Sequence, residues 1–185
     1  MLGTLEREIK LRFDTVESAR DAILRAGATP VRCRRLQEDS LLDNADEDLR
    51  RQQCVLRVRI ESGKSFLTFK GPVQPSLMLL REELETIVGD GDTLIHILEN
   101  LGYRVWFRYE KYREEFAVND VIVAVDETPV GTFVEIEGGD RGIADVAVAL
   151  GRAPSDYLVD SYRRLYMADC EARGLAPGNM VFEGR

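Results

Sequence analysis

Histidine is almost missing from this chain: His96 is the single one in 185 residues, so a histidine-built metal site or a Ser-His-Asp arrangement cannot be assembled. Its setting among Leu, Ile and Asn is that of a packed or partly exposed helix residue. Cys33, Cys54 and Cys170 are odd in number, widely spaced and without a Cys-x-x-Cys pair. That argues against a disulfide framework or a zinc site and for a reducing cytoplasm. No stretch approaches about 20 apolar residues, and no N-terminal apolar run resembles a signal peptide. A soluble protein without a membrane partner is expected. A glycine-rich phosphate loop of the Walker type is lacking as well, so any phosphate binding has to rest on side chains. The formal net charge of -8 at pH 7 speaks against general nucleic-acid binding. Lysine is scarce: Lys10, Lys64, Lys70 and Lys111 are the only ones among 25 basic residues.

What is present is a repeated pattern of charge. From Leu5 to Phe13, Glu6, Glu8, Lys10 and Arg12 alternate with Leu5, Ile9, Leu11 and Phe13, which is the period of a strand. Side chains two apart on a strand point the same way, roughly 7 Å from one another. Glu6 and Glu8 can therefore converge on a hard divalent cation while Lys10 neutralises an anion beside it. For this strand alone, a solvated edge with alternating salt bridges would serve equally well.

Recurrence tips the balance. Val55 to Ile60 puts Arg57 and Arg59 on one face, and a hairpin through Ser62, Gly63 and Lys64 returns along Phe66 to Lys70. Leu77 to Thr86 carries Arg81, Glu83 and Glu85 on one face, and Tyr103 to Phe116 carries Tyr109, Lys111 and Arg113. Val121 to Asp126 ends in an acid, and Gly131 to Glu137 aligns Glu135 with Glu137. Between these strands, Asp14 or Thr15 caps a helix from Val16 that stops at Gly27. Val31 to Leu41 is an irregular strand, Asp43 to Asp48 a polar loop, and Thr93 to Asn100 a helix with Leu94, Ile97, Leu98 and Leu101 on one face. The remainder reads as helix, Arg141 to Leu150 and then Ser155 to about Arg173. One domain is expected over residues 1–174, with 175–185 a frayed tail.

Were the charged faces to look outward, the apolar faces would form the core of a sandwich. If they look inward, the amphipathic helices cover an apolar outer surface, and a closed antiparallel sheet encloses a charged lumen. Bases and acids in near balance inside such a lumen suit a polyanion bound together with divalent metal.

These motifs, in this order, resemble the CYTH superfamily, the triphosphate tunnel metalloenzymes that include class IV adenylate cyclases and thiamine triphosphatases. The shared features are Glu6-x-Glu8-x-Lys10, the polar Gln37 and Asp39, and Leu56 to Arg59. They continue with Thr68 to Pro72, Arg81-x-Glu83-x-Glu85, Lys111-x-Arg113, Asp126, Phe133 to Glu137, and Ser161 with Tyr162. The resemblance implies an α+β fold built on an eight-stranded antiparallel closed barrel, with helices outside, that binds a triphosphate and Mg²⁺ or Mn²⁺. It further implies Glu6, Glu8, Glu135 and Glu137 as leading metal ligands, with Asp126, Glu83 and Glu85 as further metal or water-orienting acids. Lys10, Arg57, Arg59, Lys70, Arg81, Lys111 and Arg113 would grip phosphate oxygens, and all of these bases except Arg81 are also expected to serve catalysis. Some members carry a lysine on the C-terminal helix. Here Arg163 or Arg164 could replace it, surface charge being the plainer reading.

Hydrolysis of a triphosphate-containing small molecule is the expected reaction. Cyclisation of ATP to cyclic AMP and pyrophosphate is the close alternative, and non-catalytic polyphosphate or nucleotide binding the next. A cyclase must also fix adenine, for which only Gln37, Phe66 and Tyr109 offer themselves. Homodimerisation is left open.

Overall fold

The computed structural model describes residues 4–184. Its strands are β1 (Thr4–Phe13), β2 (Thr29–Asn44), β3 (Val55–Glu61), β4 (Lys64–Lys70), β5 (Leu79–Val88), β6 (Tyr103–Val118), β7 (Val121–Thr128) and β8 (Gly131–Glu137). They close into a barrel in the order β1-β5-β4-β3-β2-β6-β7-β8, all pairs antiparallel. The helices are α1 (Val16–Arg25), α2 (Asp48–Arg51), α3 (Gly91–Asn100), α4 (Asp140–Ala149) and α5 (Tyr162–Arg173). The closed eight-stranded α+β barrel is thus what the chain forms.

Register follows charge. Glu6 lies opposite Arg81, Lys10 opposite Glu135, Asp39 opposite Arg59, Lys70 opposite Glu83 and Arg113 opposite Asp126. A slip of one residue would turn these charges toward the covering helices and the apolar set into the lumen. The alternate residues build the core on the outer face. Ile9, Leu11, Val123, Val125, Val134 and Ile136 pack under Ala19 and Ile23 of α1 and Ile143, Val146 and Ala147 of α4. Each large aliphatic buried in this way contributes roughly 1.5–3 kcal/mol. Thr15 caps α1 in a reciprocal box with Ser18, and the β3–β4 hairpin turns through Ser62 and Gly63, both at positive φ (49° and 74°), as a two-residue turn requires.

Elsewhere the chain departs from expectation. The acidic run after β2 is not a plain loop, because β2 continues to Asn44 and the buried Asp43 carboxylate accepts from the backbone N–H groups of Leu49 (3.0 Å) and Arg50 (3.1 Å). The helix expected from Ser155 starts only at Tyr162, capped by Ser161. Upstream of it, Leu158 exchanges backbone hydrogen bonds with Lys10 (both 2.9 Å). Pairing of β1 with β5 ends at Glu8, so the Lys10 backbone faces an open edge that Leu158 satisfies.

The C-terminal segment is docked, not frayed: Met180 is fully buried, donates to Arg108 O (3.0 Å) and accepts from Glu110 N–H (2.8 Å). It covers the part of β6 that β7, which pairs only from Tyr112 onward, leaves bare. Arg185 lies outside the described residues. On α3, Ile97 and Leu101 are exposed (51% and 69%), and only Leu94, Ile95 and Leu98 turn partly toward the barrel.

Candidate active site

The lumen opens into a cavity of about 1030 Å³ lined by Glu6, Glu8 and Lys10 of β1, Arg57 and Arg59 of β3, and Lys70 of β4. Arg81, Glu83 and Glu85 of β5, Lys111 and Arg113 of β6, and Glu135 and Glu137 of β8 complete it. Strand alternation and barrel closure bring these distant residues to one place. Asp126 is the exception among the expected site residues. It is fully buried and accepts from Lys111 (2.8 Å), Arg113 (2.7 and 2.6 Å) and the Tyr162 hydroxyl (2.5 Å). Three of these four hydrogen bonds go to Oδ2 and one to Oδ1, and the residue stands behind the cavity wall.

The other acids are held by bases. Lys70 Nζ donates to both oxygens of Glu6 (2.6 and 2.7 Å) and lies 3.2 Å from Glu83. Lys10 Nζ meets Glu8 (2.5 Å) and Glu135 (3.4 Å), and Arg113 meets Glu135 at 2.5 Å. Arg57 stands between Asp39, Glu83 and Glu85 (3.5, 3.7 and 3.5 Å). Drawn apart toward these partners, the acids form no gathered set of three or more ion ligands among the described residues.

Two features nevertheless fit a cation and an anion. Glu137 forms no ion pair among the described residues, and its carboxyl is pushed up to about 7 by desolvation and by the nearby Glu6, Glu135 and Glu8. The residue itself is exposed at the rim, so crowding by like charge matters more than loss of water. Like charges crowded in this way favour the arrival of a hard divalent ion, toward which the carboxylates would have to turn from their present partners. The buried Nε groups of Arg57 and Arg81 make no hydrogen bond among the described residues, although each lies 3.5 Å from a carboxylate, that of Asp39 and that of Glu6. Those are donors available to phosphate oxygens.

The field in the lumen divides the two lysines that flank Tyr162. Burial works against the charge on Lys10, yet Glu8 and Glu135 overcome it and raise its pKa above the usual lysine value. Lys111 is pulled down to about 8 by desolvation and Arg113. Glu135 stays well below the carboxylate range because Arg113, Lys10 and Lys111 outweigh its burial.

Of the residues expected to meet a base, only Tyr109 lines the cavity. Gln37 is buried and donates instead to Glu61, and Phe66 does not reach the cavity. Trp106, Arg50 and Arg163 do line it. Their signal in the sequence was slight: the single tryptophan, next to a lumen-facing Phe107.

A closed tunnel lined by interleaved acids and bases defines a class, and comparison with known proteins places the chain in it. The CYTH domain model matches residues 4–151, and the chain belongs to the CYTH family, the triphosphate tunnel enzymes whose members are metal-dependent triphosphatases or class IV adenylate cyclases. A Methanocaldococcus jannaschii protein named as a candidate adenylate cyclase, MJ0240, is 29% identical over 143 residues, 77% of this chain and 79% of its own length. The PH1012 protein of Pyrococcus horikoshii superposes with a TM-score of 0.74 at 27% identity, over 86% of this chain and 98% of that one. HpAC1 from Hippeastrum, described as an adenylyl cyclase candidate with a dominant triphosphatase activity, superposes with a TM-score of 0.64 at 15% identity. That match covers 93% of this chain and 97% of HpAC1 and speaks for the fold alone.

Proposed function

We propose that the protein hydrolyses a triphosphate-containing substrate with the help of Mg²⁺ or Mn²⁺. The observation that carries this reading is the juxtaposition, in one cavity, of Glu137, crowded by other carboxylates and in no ion pair among the described residues, with the Nε groups of Arg57 and Arg81, which make no hydrogen bond there. Glu6, Glu8, Glu135 and Glu137 would hold the ion, which when bound neutralises charge on the phosphoryl oxygens. Arg57, Arg59, Arg81 and Lys70 grip the phosphate chain, and Lys10 and Arg113 keep the acids ionised and in place. Tyr162, with its ring 5.4 Å from Lys10 Nζ and 4.6 Å from Lys111 Nζ, closes the lumen beside them and keeps bulk water away from the reacting groups. Among the described residues no helix is long and apolar enough to cross a membrane, and the free cysteines agree with a cytoplasmic setting.

Cyclisation of ATP is the second reading, favoured by the name of the M. jannaschii relative. Purified protein given Mg²⁺ or Mn²⁺ with inorganic triphosphate, thiamine triphosphate or ATP separates the two. Phosphate release without cyclic AMP is the expected outcome. Cyclic AMP with pyrophosphate would replace hydrolysis by cyclisation.

A further inference from the structure

We propose that Trp106, together with Arg163 and Arg50, is the subsite for an uncharged planar base, so that the triphosphate handled in this lumen is that of a nucleoside. The proposal rests on the reading of the lumen as a triphosphate site and extends it to the organic end of the substrate.

The first argument is a break in the β6 ladder. Leu41 pairs with Phe107 and Leu42 with Val105, which leaves Trp106 without a partner on β2. Strict alternation would send Trp106 outward, opposite to Phe107. A bulge of this kind re-aims a side chain, and Trp106 lines the cavity instead. Trp106 packs in part against the cluster around Phe107 and Tyr162, but it is only half-buried, and the bulge leaves its remaining surface turned to the charged cavity, where a bare triphosphate has no use for it.

The second argument is what surrounds the indole. The Arg50 guanidinium lies 4.3 Å from the ring centroid and that of Arg163 4.8 Å. Arg50 is fixed by Asp43 and Glu47, both at 3.0 Å. Arg163 has no carboxylate partner among the described residues. Guanidinium groups standing over an indole, that of Arg163 without a carboxylate partner, extend a stacked surface on which a nucleobase can continue. Two cations at the ring also discriminate by charge, because the thiazolium of thiamine triphosphate would be repelled where a neutral base is not. Size agrees: about 1030 Å³ is at the upper end of the roughly 300–1,000 Å³ typical of pockets for organic ligands.

Because the chain has one tryptophan, its fluorescence reports on this subsite alone. In stopped-flow mixing with Mg²⁺, before turnover, ATP is expected to change that fluorescence saturably and inorganic triphosphate much less. In steady-state assays, Trp106→Ala and Arg163→Ala are expected to raise KM for ATP roughly tenfold more than KM for inorganic triphosphate, and Trp106→Phe to restore most of the difference. Equal fluorescence changes with the two ligands, KM values that move together, or thiamine triphosphate saturating as readily as ATP would overturn the subsite. Failure to bind or cleave any triphosphate would instead strike the reading beneath it, and the subsite with it.

Discussion

Asp126 on β7 is enclosed by Lys111, Arg113 and Tyr162, which give it four hydrogen bonds, three of them to one oxygen. On the neighbouring strand β8, Glu137 forms no ion pair among the described residues and is crowded by Glu6, Glu135 and Glu8, which Lys70 offsets only in part. The residue types are the same and so is the alternation that puts them in the lumen. The difference is in pairing: the acid of the β6–β7 wall is held by short hydrogen bonds from two cations and a hydroxyl, whereas the β1–β5–β8 wall holds surplus negative charge beside Arg81, whose Nε makes no hydrogen bond among the described residues and only a 3.5 Å ion pair with Glu6. A buried network that is fully satisfied maintains structure, and one left partly unsatisfied is suited to receive a partner. Charges that hold the barrel and its closing helix thus differ in pairing from those we propose to hold substrate.

Substitutions should separate the walls in the same way. Asp126→Ala strands two buried cations and the Tyr162 hydroxyl, and is expected to cost about 3–5 kcal/mol in urea unfolding, with α5 loosened from the lumen. A cost below about 1 kcal/mol would mean that this wall is not structural. Arg81→Ala, on the opposite wall, should weaken inorganic triphosphate binding about tenfold or more in a calorimetric titration while the unfolding midpoint stays close to that of the parent. Retained affinity would place Arg81 outside the site.

Protonation gives a smaller contrast. Burial opposes the ionisation of Asp39 and Glu135, but Arg59 and Arg57 hold the first low and Arg113 and Lys10 the second. Their contribution to stability is therefore present above the ordinary carboxylate value of about 4 and is lost as the pH falls. Glu137, pushed up to about 7, acts in the opposite sense: its contribution is present below about 4.3 and lost as the pH rises through its folded value. Glu137→Gln should flatten the decline in stability between about pH 5 and pH 8, by less than about 1 kcal/mol because the group is exposed. An unchanged slope would show that the like-charge crowding is relieved in solution.

The barrel was legible in the sequence because strand alternation survives translation into structure residue by residue: Glu6, Glu8 and Lys10 sit where a period of two puts them. The same logic concealed Trp106, since a bulge shifts the phase by one and local sequence gives no sign of it. Tyr157 and Leu158 share a helical spacing with Tyr162 and read as one helix. An unpaired backbone edge at Lys10 on β1, visible only once β5 is seen to end, draws Leu158 into an extended strand instead. Met180 followed glycine and proline and looked like a loose end, yet the bare edge of β6 binds it. Pairing was the least legible feature. Asp126 and Glu137 are both lumen-side acids on neighbouring strands, and only the three-dimensional positions of Arg113 and Lys111 give the first two close cations while the second has no ion pair among the described residues.

The distinction between the walls is tested most directly by calorimetric titration of inorganic triphosphate into the protein with and without Mg²⁺, repeated with Glu8→Gln. In the parent protein, Mg²⁺ is expected to tighten triphosphate binding by about tenfold or more, as charge-assisted contacts to a shared ion would, and Glu8→Gln is expected to abolish most of that gain. Triphosphate binding that is equally tight with and without Mg²⁺, in both proteins, would contradict the assignment of the β1–β5–β8 wall as the shared cation and phosphate site.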